Sequence, residues 1–317
     1  MPNPVSGDVH VDAPLTNLSV GFKNDMNNFI ADKVFPAVPV AKQTDKYFTY
    51  TQDDFFRTDA QLRAPGTESA GSGYNLSTAT YSCDVIALHK DIADQTRANA
   101  DAPLDMNRDA VEFLTQHMLL KRELDWASTF FTASAYTNDV NDDTSAPVKF
   151  DSSTAITGIQ EKMDAVEALT GYRPNKLVCG VQAFTDLKNN ADVLDRIKYT
   201  QQGTATEQLL ASLLGVEEVL VARAIRNTSN EGATASYSRI YGANNALLAY
   251  APSTPSLMHP SLGYTFTWSG YQGSNAGQRV SRFRMDHLRS DRIEMEMAYD
   301  QKLVSASLGF FFTDTDS

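Results

Sequence analysis

The chain has 317 residues, with 27 Lys and Arg against 39 Asp and Glu, giving a formal charge of −12. A deficit of cations excludes a protein that grips nucleic acid indiscriminately by releasing counterions. A 42% apolar and 21% charged composition excludes a disordered chain, and no apolar run approaches the ~20 residues of a membrane helix.

Residues 1–41 read as an arm. Met1–His10 has neither the basic start nor the apolar core of a signal peptide. Spacing predicts an amphipathic stretch over Phe22–Lys33, with Phe22, Met26, Phe29 and Ile30 on one face. Val34–Val40 follows as extended chain, because Pro36 and Pro39 forbid a helix and disfavour a central strand. A flexible tail is the alternative, but solvated tails seldom carry so much apolar content, so the arm is expected to lie on another surface, with Phe29 and Phe35 as candidate contacts.

Residues 42–91 read as one long hairpin. Lys46–Tyr50 is the outgoing arm, Tyr74–Leu88 the return, and Arg63–Gly73 a turn-rich tip. Full extension of Asp45–Leu62 would carry it roughly 60 Å at ~3.3 Å per residue. An isolated two-stranded ribbon is marginal in water, so it requires a partner surface. Tyr47, Phe48, Tyr50, Phe55 and Phe56 are the candidate anchors there, with Arg63 at the tip, since aromatic and Arg side chains dominate interface energetics. Packing within the chain is the alternative for each aromatic position.

Residues 92–150 hold a long helix. Asp101, Pro103 and Asp105 signal its start, and Leu104–Thr132 would span about 43 Å at ~1.5 Å per residue. Its stripe is Ala110, Phe113, Leu114, His117, Leu120, Leu124, Ala127 and Phe131, and the polar Thr137–Ser145 is expected to be an exposed loop. Residues 151–261 read as a compact α/β unit. One helix carries Ile156, Ile159, Met163, Val166 and Leu169 and stops at Gly171. Further helices are expected over Val181–Asn189, Val193–Tyr199 and Thr206–Leu214, and strands over Lys176–Cys179, Val219–Val221 and Ala246–Tyr250. Residues 262–317 are β. Tyr264–Trp268 is one strand, and Arg292–Tyr299 alternates Ile293, Met295, Met297 and Tyr299 against Arg292, Glu294 and Glu296. Asp300–Lys302 reads as a turn from which Leu303–Phe312 returns as a final hairpin.

Chemical motifs are sparse. There is no phosphate loop, no dinucleotide fingerprint and no Gly-x-Ser-x-Gly elbow. His10, His89, His117, His259 and His287 show no metal-ligand spacing, and His117 reads as a core or interface residue. Asp53-Asp54, Asp142-Asp143 and Glu217-Glu218 read as surface acids. Cys83 and Cys179 form neither a disulfide framework nor a metal pattern, which fits a reducing compartment. Arg279, Arg282, Arg284, Arg289 and Arg292 are interleaved with Asp286, Asp291 and Glu294. Ion pairing across strands or subunits explains them more economically than phosphate binding, and Arg282 and Arg284 are taken as subunit-interface candidates. No catalytic residue, cofactor or metal is expected. A hydrolase built from scattered Ser, Asp and His would need a nucleophile motif the chain lacks.

The ordered set resembles the major capsid proteins of tailed double-stranded DNA bacteriophages, whose fold is shared with encapsulin shells. Ile30–Pro36 looks like that family's passage from arm to hairpin. Tyr81–Asp84 through Asp101–Leu104 looks like its passage from hairpin to spine helix, and Arg173–Val178 like the first strand of its axial domain. The resemblance covers nearly the whole chain. It implies an α+β fold with an N-terminal arm, an E-loop hairpin at 42–91, a peripheral domain at 92–150 and 262–317, and an α/β axial domain at 151–261. It further implies self-assembly into hexamers and pentamers of an icosahedral shell around double-stranded DNA held without sequence-specific contacts. Assembly in the host cytoplasm and final location in the virion follow. So do a separate scaffolding protein (or one already removed, since few residues precede Lys42), a portal and decoration proteins as partners. An encapsulin-type compartment is the alternative within the same fold.

Overall fold

The computed structural model describes residues 23–50, 52–99, 105–136, 148–197, 206–255, 259–270, 277–313 and 315. Phe22, Asp101, Pro103 and the Thr137–Ser145 loop lie outside the described residues. In chain order the elements are α1 (Ala31–Val34), β1 (Ala37–Val40), β2 (Thr44–Tyr50), α2 (Gln52–Phe56), β3 (Leu76–Ser82), β4 (Asp84–Ala93) and α3 (Asp94–Ala98). The long helix α4 (Met106–Phe130) is followed by α5 (Ala155–Thr170), β5 (Lys176–Gly180), α6 (Val181–Asn189), α7 (Ala191–Ile197), α8 (Glu207–Leu214) and β6 (Glu218–Ala222). The chain then runs through β7 (Ile225–Asn227), β8 (Tyr237–Arg239), β9 (Ala246–Ala249), β10 (Gly263–Trp268), β11 (Gln278–Met285), β12 (Ser290–Leu303) and β13 (Gly309–Phe312).

Helix α4 organises the molecule. Asp105 caps it by accepting from the backbone N–H groups of Asn107 and Arg108. Its first half lays Ala110, Leu114 and Met118 on a five-stranded sheet, against Ile92, Ile293, Met295 and Met297. The alternation of β12 puts those apolar residues on the helix side and Arg292, Glu294 and Glu296 on the other. Within that sheet Ser290–Met297 is paired on both sides, with β4 and with β11. Further along, β12 pairs with β10, whose other neighbour is the parallel arm strand β1. Pro39 is tolerated because β1 lies at the edge.

The second half of α4 sends Trp126, Ala127 and Phe130 onto a four-stranded sheet of order β13-β9-β5-β6. Both faces of this sheet are covered. Leu177, Cys179, Val219, Val221, Phe310 and Phe312 face α5, α6 and α8, while Val178, Leu220, Leu247 and Phe311 face α4 and the arm. Double burial explains why these strands read as unbroken apolar runs rather than alternating ones. Gly171 and Gly215 end α5 and α8 in the left-handed conformation, with φ of 74° and 77°.

Several expectations are corrected. From Lys23 on, the stretch expected as one amphipathic helix holds two short turns, Met26–Asn28 and α1. The face of α4 is rotated from the predicted stripe: Phe113 and His117 are exposed, their rings in tilted contact, while Met118, Arg122 and Trp126 point inward. Leu169 is half exposed at the end of α5. The return arm of the hairpin splits at Cys83, with β3 pairing with β2 and β4 joining β12. Asp300–Lys302 is no turn, since β12 continues through it against β10. The segment from Leu303 therefore makes no terminal hairpin. β13 crosses to the four-stranded sheet, so residues 262–317 are divided between the two sheets.

Candidate intersubunit surface

The β2–β3 ribbon projects from a firm root. Its seven cross-strand pairs run from Thr44↔Ser82 to Tyr50↔Leu76, about 23 Å at ~3.3 Å per residue. At the root, Tyr81 stacks on Phe266 at 4.7 Å between ring centroids, with Tyr47 at 5.3 Å. The backbone N–H of Ser82 donates to Asp300 Oδ2 at 2.8 Å, and that of Cys83 to the Gln43 carbonyl at 2.9 Å. Burial pushes the Cys83 thiol up to about 11, so it is a packing residue rather than a nucleophile.

Beyond the root, burial ends. Phe48, Phe55, Phe56 and Tyr74 are each more than half exposed. Tyr50, Phe55 and Tyr74 form an aromatic knot with centroids 5.8, 6.0 and 6.1 Å apart. The outgoing limb does not stay extended to Leu62; it coils into α2, so the reach is shorter than full extension predicts. The Gln52 side chain donates to the Leu169 carbonyl, and the Phe56 ring lies over Gly171, where an added Cβ would come within 3.1 Å. Arg63 is exposed in the tip and donates to the Thr67 carbonyl at 2.5 Å.

The remaining candidates sort by burial. Phe29 is partly covered. Phe35 is corrected: it is fully buried in its own subunit, against Trp126 at 5.6 Å and Phe130 at 4.9 Å, and has no surface to offer a neighbour. Arg282 and Arg284 are tied within the chain. Asp291 takes Arg282 at 2.5 Å, Arg97 at 2.7 Å and Arg284 at 3.4 Å, and Arg284 also grips Asp94 with both terminal nitrogens. These guanidinium groups hold the Asp291 carboxyl well below the usual carboxylate range. Arg292 is bidentate on Asp91 at 2.7 and 2.8 Å. The arginine concentration is thus largely a cross-strand ion-pair network.

One residue that holds the arm in place escaped the sequence reading. Glu123, buried in the middle of α4, accepts from the backbone N–H groups of Ile30 at 2.7 Å and Ala31 at 3.1 Å and from the Tyr241 hydroxyl. It caps the first turn of α1 from another element and, with the Arg122–Asp32 ion pair beside it, fastens the arm to the long helix. Burial pushes its carboxyl up against the three donors that pull it down. The adjacent charges Arg122-Glu123 inside an apolar stretch were the available signal. Among the described residues no group of three His, Cys, Asp or Glu could hold a metal ion, and no helix is long and apolar enough to cross a membrane.

No family model matches the chain. It is 28% identical over 273 residues to a major capsid protein of Burkholderia phage BcepMu, covering 82% of this chain and 84% of that one. It is 24% identical over 304 residues to a major capsid protein of Pseudomonas phage JBD67, covering 95% and 96%. Among solved structures, a phage-related protein from Bordetella bronchiseptica RB50 superposes with a TM-score of 0.69 at 21% identity, covering 92% of this chain and 94% of that one. The capsid of Cyanophage P-SCSP1u gives 0.65 at 10% identity, covering 100% and 96%, and the SrpI encapsulin of Synechococcus elongatus 0.56 at 10%, covering 97% and 96%. The chain therefore has the α+β capsid fold that tailed-phage shells share with encapsulins, and it resembles phage major capsid proteins over most of its length.

Proposed function

We propose that this chain is the major capsid protein of a tailed double-stranded DNA phage, a structural subunit without enzymatic activity that assembles with copies of itself into hexamers and pentamers of an icosahedral head. The observation that carries the reading is the likeness to two phage major capsid proteins along 82% and 95% of the chain. The exposed aromatic ribbon supports it, because a two-stranded ribbon gains stability by burial on a second surface. In this reading the four-stranded sheet with its helices is the axial domain, and the five-stranded sheet with α4 is the peripheral domain. Phe48, Tyr50, Phe55, Phe56 and Arg63 then meet a neighbouring subunit, and Tyr47 braces the ribbon's root. A scaffolding protein, a portal and decoration proteins are its partners, assembly takes place in the host cytoplasm, and the product is the virion shell. The charge of −12 suits a container that does not adsorb the phosphates it encloses.

Negative-stain electron microscopy of the purified protein tests this: closed shells or capsomer rings are expected, and a lasting monomer at high concentration overturns it. The encapsulin fold neighbour motivates the second reading, a cargo compartment. Protein cargo co-purifying in place of nucleic acid would favour that one.

A further inference from the structure

A second, smaller ribbon stands apart from the first. β7 and β8 pair Ile225↔Arg239 and Asn227↔Tyr237, so Ile225, Tyr237 and Arg239 share one face and Arg226 stands on the other. All four are exposed, Tyr237 at 70%. The ribbon is well braced. The Asn24 side chain pairs with both the N–H and the carbonyl of Ile225, at 3.2 and 2.9 Å. Asn227 Oδ1 accepts from the backbone N–H groups of Ser229 and Ser236 and from the Ser229 hydroxyl, at 3.0, 3.1 and 2.7 Å. An apolar face held this firmly loses little freedom on binding.

Its charge is equally unspent. Among the described residues neither Arg226 nor Arg239 has an ion-pair partner, whereas Arg97, Arg282, Arg284 and Arg292 all do. The complementary surface is on α2. There Asp53 and Asp54 adjoin the exposed rings of Phe55 and Phe56, and Asp53 meets no cation among the described residues. One face offers Arg239 with Ile225 and Tyr237, with Arg226 behind it; the other patch offers the exposed Asp53 carboxylate and two phenyl rings, beside Asp54, whose Oδ2 accepts from the Asn75 backbone N–H at 2.7 Å. Within one chain α2 rests instead on the end of α5.

We propose that the Asp53–Phe56 turn of one copy docks on the β7–β8 ribbon of the next copy. The inference rests on the shell reading and names the surface that receives the long ribbon. The two patches are different parts of the chain, so the contact is heterologous, and repetition around an axis closes it into a ring. Arg239 meets the carboxylates while Phe55 and Phe56 cover Ile225 and Tyr237. Arg226, on the reverse face, adds to the attracting field.

The test compares the wild type with R226E/R239E, D53K/D54K and the combination of all four changes, by sedimentation velocity and negative-stain microscopy. R226E/R239E should lose shells and rings yet keep the wild-type thermal transition; D53K/D54K should lose them too, with only the small fall in the transition that loss of the Asp54–Asn75 hydrogen bond brings, and the fourfold swap, which restores attraction with reversed sign, should assemble again. Tyr237→Ala, which removes only an apolar contact, should slow assembly without moving the transition. Shells formed by either double variant, a folded fourfold swap that stays unassembled, or normal assembly of Tyr237→Ala would each overturn the proposal. If R226E/R239E builds normal shells that retain less DNA, the ribbon faces nucleic acid and the proposal is likewise overturned. A wild type that never assembles defeats the shell reading itself, whereas assembling wild type and variants defeat only this contact.

Discussion

Glu123 carries more structure than its single charge suggests. Removing its carboxylate strands two backbone N–H groups and the Tyr241 hydroxyl in a buried site. Glu123→Ala should therefore cost about 3 kcal/mol in urea unfolding of the unassembled subunit. Glu123→Gln should cost less, because its amide oxygen still accepts. Asp291 makes a second, pH-dependent case. Its carboxyl titrates below the unfolded value of ~3.9, so the stability it contributes is present above that pH and is lost as the pH falls through the folded value. Thermal unfolding across pH 2 to 7 should show Asp291→Asn weakest relative to wild type at neutral pH, with the gap closing in acid. Neither role was legible residue by residue. Interleaved Arg and Asp on strands announced ion pairing, but not which acid collects three arginines. For α4, Phe113 and His117 fit helical spacing as well as Met118 and Trp126 do; the buried face is set by the two sheets and the arm packed against the helix, which its own spacing does not reveal.

At the level of elements, apolar runs and glycine stops placed α5, α6, α8 and the buried strands close to their observed bounds, because these segments are buried whatever their partners. The errors within strands fall where pairing partners change along them. Cys83 separates a stretch paired with β2 from one paired with β12, and polar Asp300–Lys302 stays in strand because β10 takes over beside it. Sequence alternation carries no mark of such a handover. Two expectations belong here. Amides of Thr44–Tyr50 should exchange with deuterium far faster than those of Ser290–Met297 in the free subunit, and become protected on assembly, since β2 has one partner strand and β12 has two. Gly263→Ala should destabilise by about 2 kcal/mol in chemical unfolding, because its Cβ would lie 2.4 Å from the Phe35 ring and 2.6 Å from the Lys302 carbonyl.

Across the whole molecule, arm, ribbon, long helix and α/β unit were recognisable as an ordered set, while the way the chain ties its strands into two sheets was not. The C-terminal Phe310–Phe312 is packed into both faces of a sheet that Lys176 begins. Truncation before Gly309 should yield an insoluble chain rather than a shortened soluble subunit, as judged by the soluble fraction on expression. The same feature bears on the timing of synthesis. At ~5–20 residues per second, the roughly 130 residues between β5 and β13 take on the order of ten seconds to translate. Until β13 has been made, the Ala246–Ala249 strand lacks its outer neighbour and Leu247 and Leu248 lack the phenyl rings that cover them. The sheet that opens at Lys176 therefore waits for residues made about ten seconds later before it can close, and a nascent subunit stays unfinished on that edge for the whole interval.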